Sequence, residues 1–240
     1  MSKLNSNIHK ITGMFNKNSF IFIFLRKILS IFLVPLLFSY TSNHIYSVFK
    51  SRSQFKENKH YPWLTYPAIE FLRNKDLNDK LVLEFGSGSS TIFFLDKGCK
   101  IKTFESELHW FNQIPKSSKI EKINTLVREP QDLKKNINSD EKFDLILIDG
   151  HERLVILEYV IVNKFLKDGG LIIFDNSEGY SLSETLKDSK YSDLHKVDFY
   201  GFSPGGSIDK HCTSIIFKNK SFIFNIKDDI MKKNIINSPI

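Results

Sequence analysis

A chain of 240 residues with 41% apolar and 25% charged side chains can bury one ordinary core and carry an appendage, and the composition is globular rather than disordered. Its two cysteines, Cys99 and Cys212, form neither a disulfide framework nor a metal-ligand spacing, which excludes the disulfide-stapled classes and fits a reducing compartment. The net charge of +7 is local: the first 56 residues hold eight basic side chains and no acid, leaving a body of 26 basic and 27 acidic residues, too neutral for a broad nucleic-acid face.

Residues 1–56 therefore read as a basic, apolar N-terminal segment, and 57–240 as the main domain. Phe20–Leu25 is followed by Arg26-Lys27 and then by the uncharged run Ile28–Phe38. That run is short of the roughly 20 residues of a simple spanning helix, and a count from Phe20 places two charges inside it. Association through residues 20–40 is expected, either on the surface of a membrane with the cations at anionic headgroups or across it. A soluble helix docked on the body is the third reading. Ser39–Ser42 makes a poor cleavage site, so a removed signal peptide fits least. The expected location is cytoplasmic, at the inner face of the membrane.

The body opens with an aromatic, proline-punctuated loop, His60–Pro67, whose Tyr61, Trp63 and Tyr66 are candidates for substrate contact; the same loop could plug the core instead. A helix over 68–73 follows. Strand-like blocks are expected at 81–85, 100–104, 123–127, 143–148, 170–174, 196–200 and 213–218. Helical blocks are expected at about 91–97, 107–114, 130–137, 152–167 and 181–189. Strands alternating with helices imply a parallel sheet covered on both faces. The loop Gly201–Ser207 leaves no room for a helix, so the last strand should run antiparallel to its neighbour. The fold class is α/β: a Rossmann-like seven-stranded sheet.

The most telling stretch is Leu81–Thr91. A buried strand ends in Glu84-Phe85, the turn Gly86-Ser87-Gly88 follows, and Ser89-Ser90-Thr91 heads a helix. Glycines permit a close approach that a Cβ would block, and the helix start offers free N–H groups. An acid at Glu84 would repel a pyrophosphate and attract a cation. A dinucleotide site would also want a third glycine where Thr91 stands, so a nicotinamide-dependent oxidoreductase is a minor alternative. A membrane-tethered scaffold without activity is the other.

These blocks, with Phe143–His151 and Leu166–Asn176 in order after them, resemble the class I S-adenosylmethionine-dependent methyltransferases over about residues 62–218. The last two blocks look like a bacterial branch of small-molecule and sugar O-methyltransferases. The resemblance implies S-adenosyl-L-methionine as cofactor. Glu84, Gly86, Ser87, Gly88 and Ser90 would sit beside its methionine part, and Glu105 at its ribose hydroxyls. Asp149 would face the reaction centre, and Glu129, Gln131 or Asp132 would face the adenine. In cation-dependent relatives an Asp after the fourth strand and an Asp-Asn pair after the fifth hold a divalent ion. Asp149, Asp175 and Asn176 match that pattern, so Mg²⁺ or another divalent cation is one reading. In the metal-free reading His151, Asp149 or Asp175 serves the proton transfer, with His195 and His211 holding weaker claims. The acceptor is expected to be a small molecule, sugar or lipid-linked glycan, and no nucleic acid is expected as a partner.

Overall fold

The structure of the protein, a computed structural model, describes residues 20–50, 53, 59–127, 129–218 and 220–224. They fall into two compact units divided between residues 45 and 46. Among the described residues before that division stands one long helix, α1 (Phe20–Thr41). The charged pair Arg26-Lys27 does not interrupt it, because both residues are good helix formers. The helix is thus twice the length of the uncharged run: its 22 residues span about 33 Å, close to the hydrocarbon thickness of a bilayer. Thr41 and Ser42 return their hydroxyls to Leu37 and Phe38 carbonyls, and Asn43 at φ 55° turns the chain out of the helix. Ile23–Thr41 has a mean hydropathy of 1.8 and none of it is buried. By length and composition this helix could cross a membrane.

The body is built on seven strands: β1 (Leu81–Phe85), β2 (Lys100–Glu105), β3 (Ile120–Asn124), β4 (Phe143–Ile148), β5 (Leu166–Phe174), β6 (Leu194–Gly201) and β7 (His211–Lys218). They form one Rossmann-like sheet in the order β3-β2-β1-β4-β5-β7-β6. The first five are parallel, and β7 runs antiparallel to both β5 and β6. The helices are α2 (His44–Lys50), α3 (Tyr66–Arg73), α4 (Ser89–Asp96), α5 (Leu108–Gln113), α6 (Pro130–Lys134), α7 (Arg153–Val162) and α8 (Leu182–Thr185).

Alternation along the strands divides the core in two. Leu83, Phe85, Ile146, Ile148 and Ile172 face one layer, under α7. Val82, Leu145, Leu147, Leu171 and Ile173 face the other, under α3 and α4. Glu84 falls on the second face by the same period of two, and so lies beneath the start of α4. Strand order reverses between β1 and β4, and a crevice opens at the carboxyl ends of strands at such a point.

Several boundaries differ from the sequence reading. β3 starts at Ile120 rather than Ile123, because Ile120 pairs with Ile101 of β2; Thr125–Val127 then lie beyond the sheet. The helix expected to reach residue 167 stops at Val162. Asn163 caps it through Tyr159 O at 2.8 Å, and Lys164 turns at φ 55° so that Phe165 enters the core. The helix expected over 181–189 shrinks to Leu182–Thr185, flanked by single turns. Within the body, Ser47 of α2 is fully buried and its hydroxyl meets Tyr66 Oη at 3.3 Å and the Gly205 N–H at 3.3 Å.

Candidate active site

The turn after β1 is held by backbone contact. Gly86 sits at φ +93°, and a Cβ there would come within 2.8 Å of the Asp149 carbonyl oxygen. Glycine alone combines that conformation with that approach. Gly86 N–H donates to Phe104 O at 2.9 Å, and Asp149 N–H to Phe85 O at 2.8 Å, so the ends of β1, β2 and β4 are tied together.

Glu105 ends β2 and ties the turn to it. Its two oxygens accept the Ser87 N–H at 2.7 Å and the Glu107 N–H at 2.8 Å. A carboxylate has about four lone-pair sites, so two remain for a ligand. Below the turn, Glu84 Oε2 accepts the hydroxyls of Thr91 at 2.6 Å and Thr103 at 2.7 Å. Thr103 spends its only proton there, so Ser87 Oγ is the donor in the 2.6 Å contact between the two hydroxyls. Glu84 Oε1 is buried and has no hydrogen-bond partner among the described residues. Burial pushes the Glu84 carboxyl up to about 7, against the pull of the Ser90, Thr91 and Thr103 hydroxyls and with a push from the Glu105 charge.

A cavity of about 890 Å³ spans these strand ends. Toward β1–β3 it is lined by Gly86, Ser87, Gly88, Ser90, Glu105, Trp110 and Thr125–Val127. Toward β5–β7 it is lined by Trp63, Thr65, Asp175, Asn176, Tyr180, Ser203, Ser207 and His211, with Asp149, Gly150, His151 and Arg153 between. Glu84 is fully buried and does not line it.

Arg153, the first residue of α7, organises the middle of the cavity. Its Nη2 donates to Asp149 Oδ1 at 3.0 Å, its Nη1 to Asn176 Oδ1 at 2.8 Å and to the Asp175 carbonyl, and its Nε to the Gly150 carbonyl at 3.0 Å. Asp175 Oδ1 instead accepts the Thr213 hydroxyl at 2.6 Å. Burial is the main push on both carboxyls. It raises Asp149 well above the carboxylate range, helped by the Asp175 charge and opposed by Arg153. It raises Asp175 to about 6, opposed by the Thr213 hydroxyl and by Arg153. The side chain of Asp149 keeps 23% of its surface open, so water in the cavity tempers its desolvation.

The oxygen set read from the sequence as a metal site does not fit a divalent ion here. Asp149 Oδ1 and Asn176 Oδ1 are bonded to a guanidinium, and Asp175 is turned toward Thr213. Among the described residues no group of three or more His, Cys, Asp or Glu side chains is placed to hold a metal. The cause is an arginine four residues after Asp149, which brings its own cation to these oxygens. The sequence reading missed Arg153, which the turn between β4 and α7 brings back onto Asp149.

The other expected residues divide. His151 lines the cavity but is exposed, and makes no hydrogen bond with another described residue. Of the loop's three aromatic candidates Trp63 lines the cavity, beside Leu64 and Thr65, and Tyr61 and Tyr66 do not. Tyr61 packs on Phe93 at 5.9 Å, and Tyr66, turned inward at the start of α3, is 8% exposed and meets Ser47. Trp63 instead covers Gly205, where a Cβ would lie 2.4 Å from its ring. Glu129, Gln131 and Asp132 do not line the cavity. The Asp132 carboxylate accepts the Glu129 N–H and caps α6, while Thr125–Val127 face the cavity in their place. Ser207, His211 and Glu178 are further polar residues at this end that the sequence reading left aside or ranked low.

No protein-family model matches the chain. A curated relative, the serine/threonine-protein kinase KIN4 of Saccharomyces cerevisiae, is 28% identical over 141 residues, 57% of this chain; the chain spans 16% of that protein's length. Among solved structures, an O-methyltransferase from Bacillus cereus in complex with SAH is similar at 15% identity, covering 62% of this chain and 78% of that one, with a TM-score of 0.44. The O-methyltransferase TomG from Streptomyces achromogenes, in complex with SAM, is 12% identical over 72% of this chain and 89% of its own, with a TM-score of 0.47. An rRNA methylase from Streptococcus thermophilus is 14% identical over 63% of this chain and 95% of its own, with a TM-score of 0.46.

Proposed function

We propose that the protein is a metal-independent methyltransferase that binds S-adenosyl-L-methionine in this cavity and methylates a hydroxyl of a small molecule or glycan. One observation carries the reading. Four carboxyls, Glu84, Glu105, Asp149 and Asp175, interact around one cavity, and among the described residues Arg153 is the guanidinium set against them. A surplus of negative charge in a half-buried site disfavours phosphates and favours a cationic ligand. S-adenosylmethionine has two cationic groups and a ribose diol. Glu105, with lone pairs to spare beside the glycine turn, suits the diol. The uncompensated Glu84 beneath the turn suits the cations through its field rather than by contact.

When bound, the cofactor supplies a methyl group on an electrophilic sulfonium. The chain's own part is to align and to exclude. The turn at Gly86–Gly88 and the Glu105 carboxylate position the ligand against β1 and β2. Asp149, held by Arg153, fixes the negative wall at the reaction end. Trp63, Tyr180 and Ser203 shape the side where an acceptor would enter. Holding the reactants in line accounts for most of the acceleration in such a displacement.

Calorimetric titration of S-adenosylhomocysteine into the full chain in detergent is expected to give micromolar affinity. Glu105→Gln is expected to weaken it by about 30-fold, near 2 kcal/mol, because a diol loses a charge-assisted acceptor. A folded protein that binds neither S-adenosylhomocysteine nor S-adenosylmethionine would leave this reading without support.

We also propose that α1 associates the protein with the cytoplasmic face of a membrane. Its apolar side chains are exposed around the helix, Phe32 at 66% and Leu36 at 61% among them, and its two cations stand within reach of headgroups by snorkelling. The full chain should float with phosphatidylglycerol-containing vesicles, and a chain lacking residues 20–41 should stay at the bottom of the gradient. Flotation of neither would remove the proposal.

A further inference from the structure

The end of β5 and the start of β7 lie side by side, because the two strands pair antiparallel with Phe174 opposite Ser214. That pairing brings together three polar residues from separate parts of the chain. Glu178 comes from the turn after β5, Ser207 from the loop before β7, and His211 from the first position of β7. His211 Nδ1 lies 2.9 Å from Glu178 Oε1, and His211 Nε2 lies 2.9 Å from Ser207 Oγ. The second Glu178 oxygen accepts the Cys212 N–H at 2.7 Å, so the carboxylate is fixed at both ends.

The direction of these bonds follows from the chemistry. Burial alone would raise the Glu178 carboxyl, but the bonds from His211 and from the main chain outweigh it and hold the group below its usual range. An ionised carboxylate only accepts, so His211 Nδ1 must donate. In the neutral ring Nε2 then carries the lone pair, and the Ser207 hydroxyl donates to it. This is a base oriented by a third group, with a hydroxyl already seated on it. Both His211 and Ser207 line the cavity, and the Glu178 charge is felt at Asp175. His151, the histidine favoured from sequence, has no such orienting partner among the described residues.

We infer that His211 is the catalytic base for the acceptor, that Glu178 positions it, and that the Ser207 hydroxyl stands where the acceptor hydroxyl binds. This rests on the methyl-transfer reading and assigns the acceptor atom as a hydroxyl oxygen that must lose its proton. In the step, the acceptor oxygen forms the new bond to the methyl carbon while its proton passes to His211 Nε2. The carbon–sulfur bond breaks with its electron pair kept by sulfur, leaving S-adenosylhomocysteine. The imidazolium, facing Glu178, then returns the proton to water.

The test is long-range proton–nitrogen NMR of the full chain in detergent at pH 8, with S-adenosylhomocysteine calorimetry on the same samples. His211 is expected as the Nδ1–H tautomer, and Glu178→Gln should move it toward the Nε2–H form that free imidazole side chains favour. Ser207→Ala should leave the tautomer alone. His211→Asn should keep S-adenosylhomocysteine affinity within about twofold. It should also lower tritiated methyl incorporation from S-adenosylmethionine into a small-molecule extract by about 100-fold or more, the usual scale for a lost base. An Nε2–H tautomer in the unaltered protein overturns the inference, and so does an unchanged incorporation rate in His211→Asn. Covalent labelling of Ser207 by a fluorophosphonate would also overturn it, since that marks a nucleophile. If S-adenosylhomocysteine binds and these results fail, only His211 is misassigned; if it does not bind at all, the methyl-transfer reading has failed first.

Discussion

Replacing Arg153 with methionine is expected to destabilise the body by about 3–5 kcal/mol at pH 8, the range for removing one partner of a buried ion pair. The guanidinium bonds the Asp149 and Asn176 side chains and three carbonyls at once, and its side chain is 13% exposed. Without it Asp149 and Asp175 face each other with no counter-charge, and Asn176 and the carbonyls lose their donor. Methionine fills similar volume, so the loss is mostly electrostatic. Both carboxyls already have raised pKa values, Asp175 at about 6. As pH falls through about 6 Asp175 takes up a proton in the folded protein, and the deficit should shrink there. Asp149→Asn combined with Arg153→Met should recover a large part of the loss, because the uncompensated charge goes with it. Urea unfolding in detergent at pH 5 and pH 8, for both variants, measures this. A deficit under about 1 kcal/mol at pH 8 would show that water, not Arg153, keeps these carboxylates apart. Added chelator should leave stability untouched in every case.

Glu84→Gln is expected to raise the stability of the ligand-free protein at pH 8 by about 1–3 kcal/mol while weakening S-adenosylhomocysteine binding at least tenfold. The sign follows from the direction of the shift. The folded carboxyl titrates at about 7 against an ordinary 4.5. Between those values the folded state holds a proton the unfolded state has lost, so stability falls as pH rises from about 4.5 to 7 and is level above. Asp175 adds a fall in the same direction, from 3.8 to about 6. Glutamine removes the Glu84 part of that slope. It still accepts from Thr91 and Thr103, although its amide brings a donor of its own to the buried position. Binding of a cationic ligand near Glu84 favours the ionised form, so binding to the unaltered protein should release a proton between pH 5 and 7. Calorimetry in buffers of different ionisation enthalpy reads that release directly. A variant no more stable than the parent at pH 8, with unchanged affinity, would mean that the Oε1 oxygen meets water and carries no strain.

The parts of this protein that were legible in the sequence are those encoded by contiguous residues. The apolar runs 81–85 and 143–148 became strands at those limits, because a strand buried on both faces needs nothing but its own side chains to declare it. The glycine turn and the acids at Glu105, Asp149 and Asp175 were visible for the same reason: a polar residue at the end of an apolar run marks where the strand leaves the core. The edge strand β3 was misplaced by three residues, since it is only half-buried and its limits come from pairing with β2. α1 covers residues 20–41, close to the segment 20–40 read from the sequence, because two charges break an apolar run without breaking a helix.

What the sequence by itself determined, then, is the layered α/β class and the strand-end acids. Local periodicity encodes them, and no distant partner is needed. The tertiary structure alone decided the identity of the cation among those acids. Arg153 meets Asp149 across the short turn between β4 and α7, but it reaches Asn176 only because β4 and β5 are neighbours in the sheet. It likewise decided which histidine has a partner. Glu178 and His211 are 33 residues apart and meet only because β7 turns back antiparallel along β5. Charges and hydrogen bonds act over a few ångströms of space, and strand order sets those distances between segments that are remote along the chain.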